Sequence, residues 1–101
     1  MLFVNVSFKA TYLGRYSSDT SIDVSNLGAT SASQFVAVPR VNFHQSVATC
    51  QNDSFFDFYS PSFNLNGNTL TFHNGYINAG YVEIYVNTTR QLTCDIYFIG
   101  T

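Results

Sequence analysis

Charged side chains are scarce in this sequence. Asp, Glu, Lys and Arg make up 10% of its 101 residues, well below the roughly 25% of ordinary globular domains. Four cations stand against six anions, which gives a net charge of -2. This balance lacks the electrostatic footprint that binding to phosphates requires. The composition therefore argues against nucleic acid as a partner.

Long apolar runs are also missing. The opening residues Met1–Asn5 contain no basic region, and their apolar run is far shorter than a signal-peptide core or a membrane span. We therefore expect no signal peptide, no transmembrane segment and no membrane insertion.

Candidate metal ligands are few and scattered. The two histidines, His44 and His73, stand alone among Asn, Phe and Thr, whereas a metal site needs several ligands at fixed spacing. The two cysteines, Cys50 and Cys94, are 44 positions apart and form neither a zinc nor a redox motif. They leave open a single disulfide or, as we favour, a buried thiol at Cys94.

Motifs for catalysis are not present. The five Asp and the single Glu83 form no calcium loop and no recognisable glycosidase pair. No Ser stands in a glycine-flanked nucleophile motif, and the six glycines are scattered rather than grouped to cradle a phosphate. We therefore predict a protein that is not an enzyme and has no catalytic residue, no metal and no cofactor.

Aromatic and uncharged polar residues are abundant instead. The chain has ten Phe and seven Tyr, and 46% of it is hydrophobic, which is enough to build a core. Eleven Ser, ten Thr and ten Asn provide most of the polar surface. Such a surface suits an extracellular or particle-bound protein, although small β-rich proteins with many turns drift toward the same composition.

Apolar residues alternate with polar ones in several segments, which predicts strands. The first covers Val4 to Tyr12, with Val4, Phe8 and Tyr12 on its apolar side, and a turn is expected over residues 14–20. Another extends from Gln34 to Phe43. Pro39 interrupts that strand, and because Pro cannot donate to a ladder the strand is predicted to lie at an edge or to carry a bulge.

A hairpin is the clearest local signal. The apolar pairs Phe63, Leu65 and Leu70, Phe72 flank the turn residues 66–68. A loop at 66–67 would pair Phe63 with Leu70, and a loop at 67–68 would pair Phe63 with Phe72. Both registers keep the four apolar residues on one face. A strand is also expected over 55–59, and a turn over 73–75.

The last two strands are predicted at Tyr81–Val86 and Leu92–Ile99, joined by the polar residues 87–91. If Val86 faces Leu92, one face of the pair is apolar and the other carries tyrosines; a shift of two residues also remains open. These tyrosines are the candidate interface residues: Tyr81, Tyr85 and Tyr97. The alternative is that their face packs against another element and is covered.

Together these patterns predict one all-β domain over residues 1–101. Seven or eight short strands joined by polar turns are typical of an antiparallel β-sandwich or jelly roll. No segment has the periodicity of an amphipathic helix, although residues 29–34 allow one short turn.

The order of elements resembles small β modules in virion proteins of bacteriophages that infect Gram-positive and gut bacteria, found in tail-tip, fibre or baseplate components. Four segments carry the resemblance: Val4-Asn5-Val6-Ser7-Phe8-Lys9-Ala10-Thr11-Tyr12, Ser31-Ala32-Ser33-Gln34-Phe35, Pro61-Ser62-Phe63-Asn64-Leu65-Asn66-Gly67-Asn68-Thr69-Leu70-Thr71-Phe72 and Thr93-Cys94-Asp95-Ile96-Tyr97-Phe98-Ile99-Gly100.

This resemblance implies a structural or attachment protein of the virion, located at the particle surface or tail. Such a protein assembles with itself, as a homo-oligomer, and with other virion proteins, and a host-surface glycan is a further candidate partner. The family supplies no catalytic residues. The alternative is a free-standing lectin-like module for carbohydrate or surface ligands, although the chain has no Trp to supply the wide ring that sugar platforms commonly use.

Overall fold

The computed structural model describes residues 8–40, 54–81 and 86–100, and for 54–56, 80–81 and 86–88 it describes the backbone alone. The predicted fold class is confirmed, because these residues form an all-β antiparallel sandwich. They contain nine strands, rather than seven or eight, and a single 3-10 turn at Ala32–Gln34. The strands are β1 Lys9–Tyr16, β2 Thr20–Asp23, β3 Phe35–Arg40, β4 Ser54–Tyr59, β5 Ser62–Asn66, β6 Thr69–His73, β7 Tyr76–Tyr81, β8 Val86–Gln91 and β9 Thr93–Gly100.

The strands form three antiparallel sheets of three strands each. Sheet A has the order β1-β9-β3, sheet B the order β2-β6-β5, and sheet C the order β4-β7-β8. Sheets A and B pack face to face and enclose the core, where Phe35 of sheet A lies 6.0 Å from Phe63 of sheet B between ring centroids. Pro39 lies in β3, at the edge of sheet A, as its missing N–H predicts.

The predicted hairpin is confirmed and is longer than its turn signal indicates. Phe63 pairs with Phe72 and Leu65 with Leu70, so the loop is at residues 67–68 and one of the two permitted registers is realised. The same register continues from β5 into β4 and from β6 into β7, as far as the pair Ser54 and Tyr81. Residues 73–75 are therefore not a reversing turn, because the strand continues in the same direction beyond them.

The strand pairing changes at Asn74 and Gly75. On one side of these residues β7 pairs with β8 in sheet C, and on the other side the two chain segments separate, β6 into sheet B and β9 into sheet A. The Leu92 amide donates to the Gly75 carbonyl at 3.0 Å, which extends the backbone ladder between β7 and β8 by one bond. Asn74 then satisfies groups at the division: its side-chain amide donates to the Leu92 carbonyl at 2.8 Å, and its side-chain oxygen accepts from the Gly75 amide at 2.9 Å.

A β-bulge in β1 overturns the predicted orientation of that strand. The pairing with β9 shifts between Tyr12 and Gly14, and Gly14 has φ +124°, a value that favours glycine. Leu13, the extra residue, packs against the core, whereas Phe8 and Tyr12 are exposed. The side expected to be apolar and buried thus faces outward. The strand also continues to Tyr16, so the turn expected over 14–20 is shorter; residues 1–7 lie outside the described part.

The predicted pairing of the last two strands is wrong. Residues 87–91 belong to strand β8, not to a loop, and Val86 pairs with Tyr81 rather than with Leu92. β9 pairs instead with β1 and β3, which come from the first half of the chain. Alternation within each segment was a sound indication of strands, but it contains no information about which distant strand is the partner.

The division of the sheets requires glycine at position 75. A β-carbon there would overlap the Tyr59 carbonyl and lie 2.8 Å from the Pro61 nitrogen and 2.9 Å from a Leu92 methyl carbon. Two of these atoms are backbone and cannot move aside alone. We expect Gly75→Ala to lower the free energy of unfolding by about 1 to 3 kcal/mol, the usual cost of overpacking, measured by urea denaturation.

The matched control is Gly67→Asn in the hairpin loop. Gly67 has φ +60° and open space around it, and Asn tolerates this conformation. Its free energy of unfolding should stay close to that of the unsubstituted protein. Equal losses in the two variants would show that position 75 is not specially constrained.

Candidate interaction face on sheet A

The outer face of sheet A turns away from the core and carries an unusual set of side chains. Asp95 and Tyr97 of the central strand β9 lie between residues of β1 and β3, because Tyr97 pairs with Tyr12 and Val36, and Asp95 pairs with Arg15 and Val38. We call this surface the arginine face and define it by seven residues: Tyr12, Arg15, Val36, Val38, Arg40, Asp95 and Tyr97.

The bulge at Leu13 creates this arrangement. Alternation alone would place Tyr12 and Arg15 on opposite sides of β1. The extra residue shifts the phase, so that both side chains reach Asp95. The Tyr12 and Tyr97 rings then lie 5.3 Å apart between centroids, tilted by 51°.

Asp95 is the centre of the arginine face. Its carboxylate accepts bonds from the Tyr12 hydroxyl and from Arg15 Nε, each at 2.9 Å, and a longer one from Arg15 Nη2 at 3.4 Å. Arg40 Nη1 approaches from the opposite strand at 3.3 Å. The Asp95 side chain is only 8% exposed, whereas those of Arg15 and Arg40 are 50% and 59% exposed. One buried carboxylate thus orients two solvent-facing guanidinium groups.

These contacts keep Asp95 ionised in acid. The hydrogen bond from Arg15, with smaller contributions from Tyr12 and Arg40, lowers the pKa of Asp95 from 3.8 to about 2, although burial opposes the shift. The same carboxylate raises the pKa of the Tyr12 hydroxyl, mainly through their hydrogen bond. The cluster carries a net charge of +1, since two guanidinium groups face one carboxylate.

The outer face of sheet B is polar and differs from the arginine face. Its outer side carries Ser21, Thr69 and Asn64, with Asp23 beside them and no large apolar residue. The arginine face instead exposes Tyr12, Val36 and Val38. Exposed apolar residues grouped on one face, around a few fixed polar groups, are typical of an interaction surface.

The structure separates the three tyrosines predicted as interface residues. Tyr97 lies on the arginine face, in contact with Tyr12. Tyr81 is the last residue of β7 in sheet C, where it pairs with Ser54 and Val86, and Tyr85 lies outside the described residues. Tyr81 and Tyr97 therefore do not form one strip on adjacent strands. Their role in an interface stays a prediction.

The other residues of the arginine face were not predicted from the sequence. Gly14 was the available signal, since a glycine within an alternating strand indicates a bulge, and a bulge would have turned Tyr12 outward with Arg15. Nothing in the spacing indicated that Asp95 meets Arg15 and Arg40, which are 80 and 55 positions away.

The described residues bring together no group of three or more His, Cys, Asp or Glu side chains that could hold a metal ion. Cys94 is a free thiol, fully buried, and donates a weak bond to the Asn74 side-chain oxygen at 3.8 Å. Burial raises the pKa of its thiol, which makes the thiolate less accessible. Its partner in the disulfide left open by the sequence, Cys50, lies outside the described residues.

No protein-family model, curated protein or solved structure matches the chain. Within the part of the chain that the structure describes, no helix is long and apolar enough to cross a membrane.

The arginine face predicts a dependence of stability on pH. The pKa of Asp95 is about 2 in the folded protein and 3.8 ordinarily, so the unfolded chain binds more protons between these values. The stabilisation from Asp95 is complete above about pH 4 and is lost as the pH falls through 2. We expect Asp95→Asn to flatten the dependence of unfolding free energy on pH between 4 and 2, measured by urea denaturation.

The control for this experiment is Asn64→Ser. Asn64 is an exposed residue on the outer face of sheet B and does not titrate, so its substitution should leave the slope as it is in the unsubstituted protein. The assignment to Asp95 would be wrong if Asp95→Asn and the unsubstituted protein lost stability in parallel over this range.

The buried thiol predicts slow chemical labelling. In a Cys50→Ser background, Cys94 should react with a thiol reagent at least about a hundredfold more slowly in the native protein than in 6 M guanidinium, because it must become exposed before reacting. The reaction can be followed by absorbance. Rapid labelling without denaturant would contradict the burial of Cys94.

Proposed function

We propose that this protein is a non-enzymatic structural or attachment protein of a bacteriophage virion, which acts through protein–protein assembly. Its partners are copies of itself and other virion proteins, and the contact surface is the arginine face. The virion assignment comes from the resemblance in sequence. The assembly assignment has separate support in the described residues.

One observation carries the proposal of assembly: the two outer faces of the sandwich differ in chemistry. The face of sheet B carries hydroxyl and amide groups suited to water, whereas the arginine face exposes Tyr12, Val36 and Val38 around an ordered ionic cluster. Burying such apolar area provides free energy for association, and Asp95 holds Arg15 and Arg40 in place before a partner arrives. Preorganisation of this kind lowers the entropic cost of binding.

The lectin-like alternative has less support. Outside the arginine face, the exposed tyrosines include Tyr59 and Tyr76, which stack on each other with centroids 4.3 Å apart and an angle of 18°. One side of each ring is thereby occupied, which reduces the flat surface offered to a sugar.

Self-assembly through the arginine face can be tested by mass. We expect light scattering at several concentrations to give a mass above the 11.3 kDa of one chain. The double variant Val36→Thr and Val38→Thr keeps the side-chain shape but replaces two methyl groups by hydroxyls. It should weaken association by about 2 to 3 kcal/mol, or on the order of 30- to 150-fold in dissociation constant.

The control replaces a hydroxyl by a methyl group on the outer face of sheet B. Thr69→Val adds a methyl group to the polar face and should leave the mass unchanged. A strict monomer at all concentrations would rule out the self-assembling part of the proposal, and an oligomer insensitive to Val36→Thr and Val38→Thr would place the contact elsewhere.

A further inference from the structure

A second exposed aromatic surface lies on sheet C. Tyr59 and Tyr76 pair across β4 and β7, and Asp57 and Asn78 form the neighbouring pair on the same side. Gln91 of β8 extends the row beside Tyr76. We call this surface the tyrosine face and define it by these five residues. Both tyrosines and Asp57 are exposed.

The tyrosine face is the exposed side of sheet C. Ile77 and Ala79, which alternate with Tyr76 and Asn78 along β7, are buried on the other side and belong to the core cluster that contains Phe72. Sheet A does not extend over sheet C, because its central strand β9 begins at Thr93 and β8 joins sheet C before it. Tyr59 and Tyr76 are therefore exposed beyond the edge of sheet A.

The two faces point to the same side of the molecule. Leu92 is buried with Cys94 and Ile96, which keeps the alternation in phase from β8 to β9. Gln91 of the tyrosine face and Asp95 of the arginine face therefore lie on the other, common side. One partner can therefore approach both faces from the same side.

The charges of the two faces are complementary. The arginine face carries +1 from Arg15, Arg40 and Asp95, and the tyrosine face carries -1 from Asp57. In the described contacts, Arg40 uses one of its five N–H donors and Arg15 uses two. Two arginine faces brought together would set +1 against +1, and Asp95 is too buried to receive a second guanidinium group.

We propose that the protein forms a two-fold dimer in which the tyrosine face of each copy covers the arginine face of the other. Asp57 of one copy meets Arg15 and Arg40 of the second, and the stacked Tyr59 and Tyr76 lie over Val36, Val38 and Tyr12. The occupant of each face is a second copy of this chain. The inference rests on the proposed self-assembly and specifies its geometry.

Reciprocal docking also resolves a problem of size. From strand rise and spacing, the arginine face measures roughly 16 Å by 14 Å, which is small for a stable interface. In a two-fold dimer each contact occurs twice, so the buried area is doubled. A dimer with a single such contact would be much weaker.

The decisive experiment uses charge reversal and mixing. Arg40→Glu and Asp57→Lys should each raise the dissociation constant of the dimer at least tenfold, measured by sedimentation equilibrium. Mixed one to one, the two variants should form a dimer tighter than either variant alone, because one intact arginine face meets one intact tyrosine face. The double variant in one chain should also recover the dimer, since opposite charges meet again in both contacts.

Asp23→Lys on sheet B is the matched control, with the same change of charge outside both faces, and it should leave the dissociation constant unchanged. Circular dichroism checks that each variant folds, and Arg40→Gln replaces Arg40→Glu if the latter does not. The unsubstituted protein should have twice the chain mass of 11.3 kDa.

The outcomes separate the two proposals. If Asp57→Lys and the mixture behave like the unsubstituted protein while Val36→Thr and Val38→Thr still weaken assembly, the tyrosine face is not the occupant and the proposed function stands. A mass above that of a dimer overturns the two-fold arrangement. A monomer at every concentration overturns this inference together with the proposed self-assembly.

Discussion

The structure depends on the point where three paired strands separate into two sheets. At Asn74 and Gly75 the ladder between the hairpin and the β8–β9 segment ends, and backbone groups lose their partners inside the protein. Unpaired buried groups of this kind cost free energy. The Asn74 side chain bonds the Leu92 carbonyl and the Gly75 amide, and the missing side chain of Gly75 allows Tyr59, Pro61 and Leu92 to approach closely. Because of this division, β9 lies on the opposite side of the core from the hairpin, as the central strand of sheet A.

Sequence reasoning succeeded where neighbours in the chain are also neighbours in space. The hairpin around Gly67 and the strand over 55–59 follow from alternation and turn chemistry, and the edge position of Pro39 follows from its missing N–H. It failed where pairing is non-local. β9 pairs with β1, more than 75 positions away, and residues 73–75 have the composition of a turn but act as a division between sheets. Composition cannot distinguish these two uses of Asn and Gly.

The candidate face was only partly predictable for a related reason. Tyr97 was identified as an outward tyrosine, but its expected companions on the last two strands are not its neighbours. Its true neighbour, Tyr12, was expected to point inward. Alternation of apolar and polar residues predicts a strand, but it does not determine which side of the strand faces the core. The bulge at Gly14 sets that choice, and the Asp95 cluster depends on it, since Arg15 would otherwise turn into the core.

The scarcity of charge has a structural meaning in this arrangement. Three of the ten charged residues, Arg15, Arg40 and Asp95, meet in one cluster. Beyond the division at Gly75, Tyr59 and Tyr76 form a second exposed aromatic surface on sheet C. A chain that kept both surfaces in water would need charged residues around them. Its uncharged polar residues cover the outer side of sheet B instead, whereas the arginine face and the tyrosine face expose aromatic and aliphatic side chains that would gain free energy from contact.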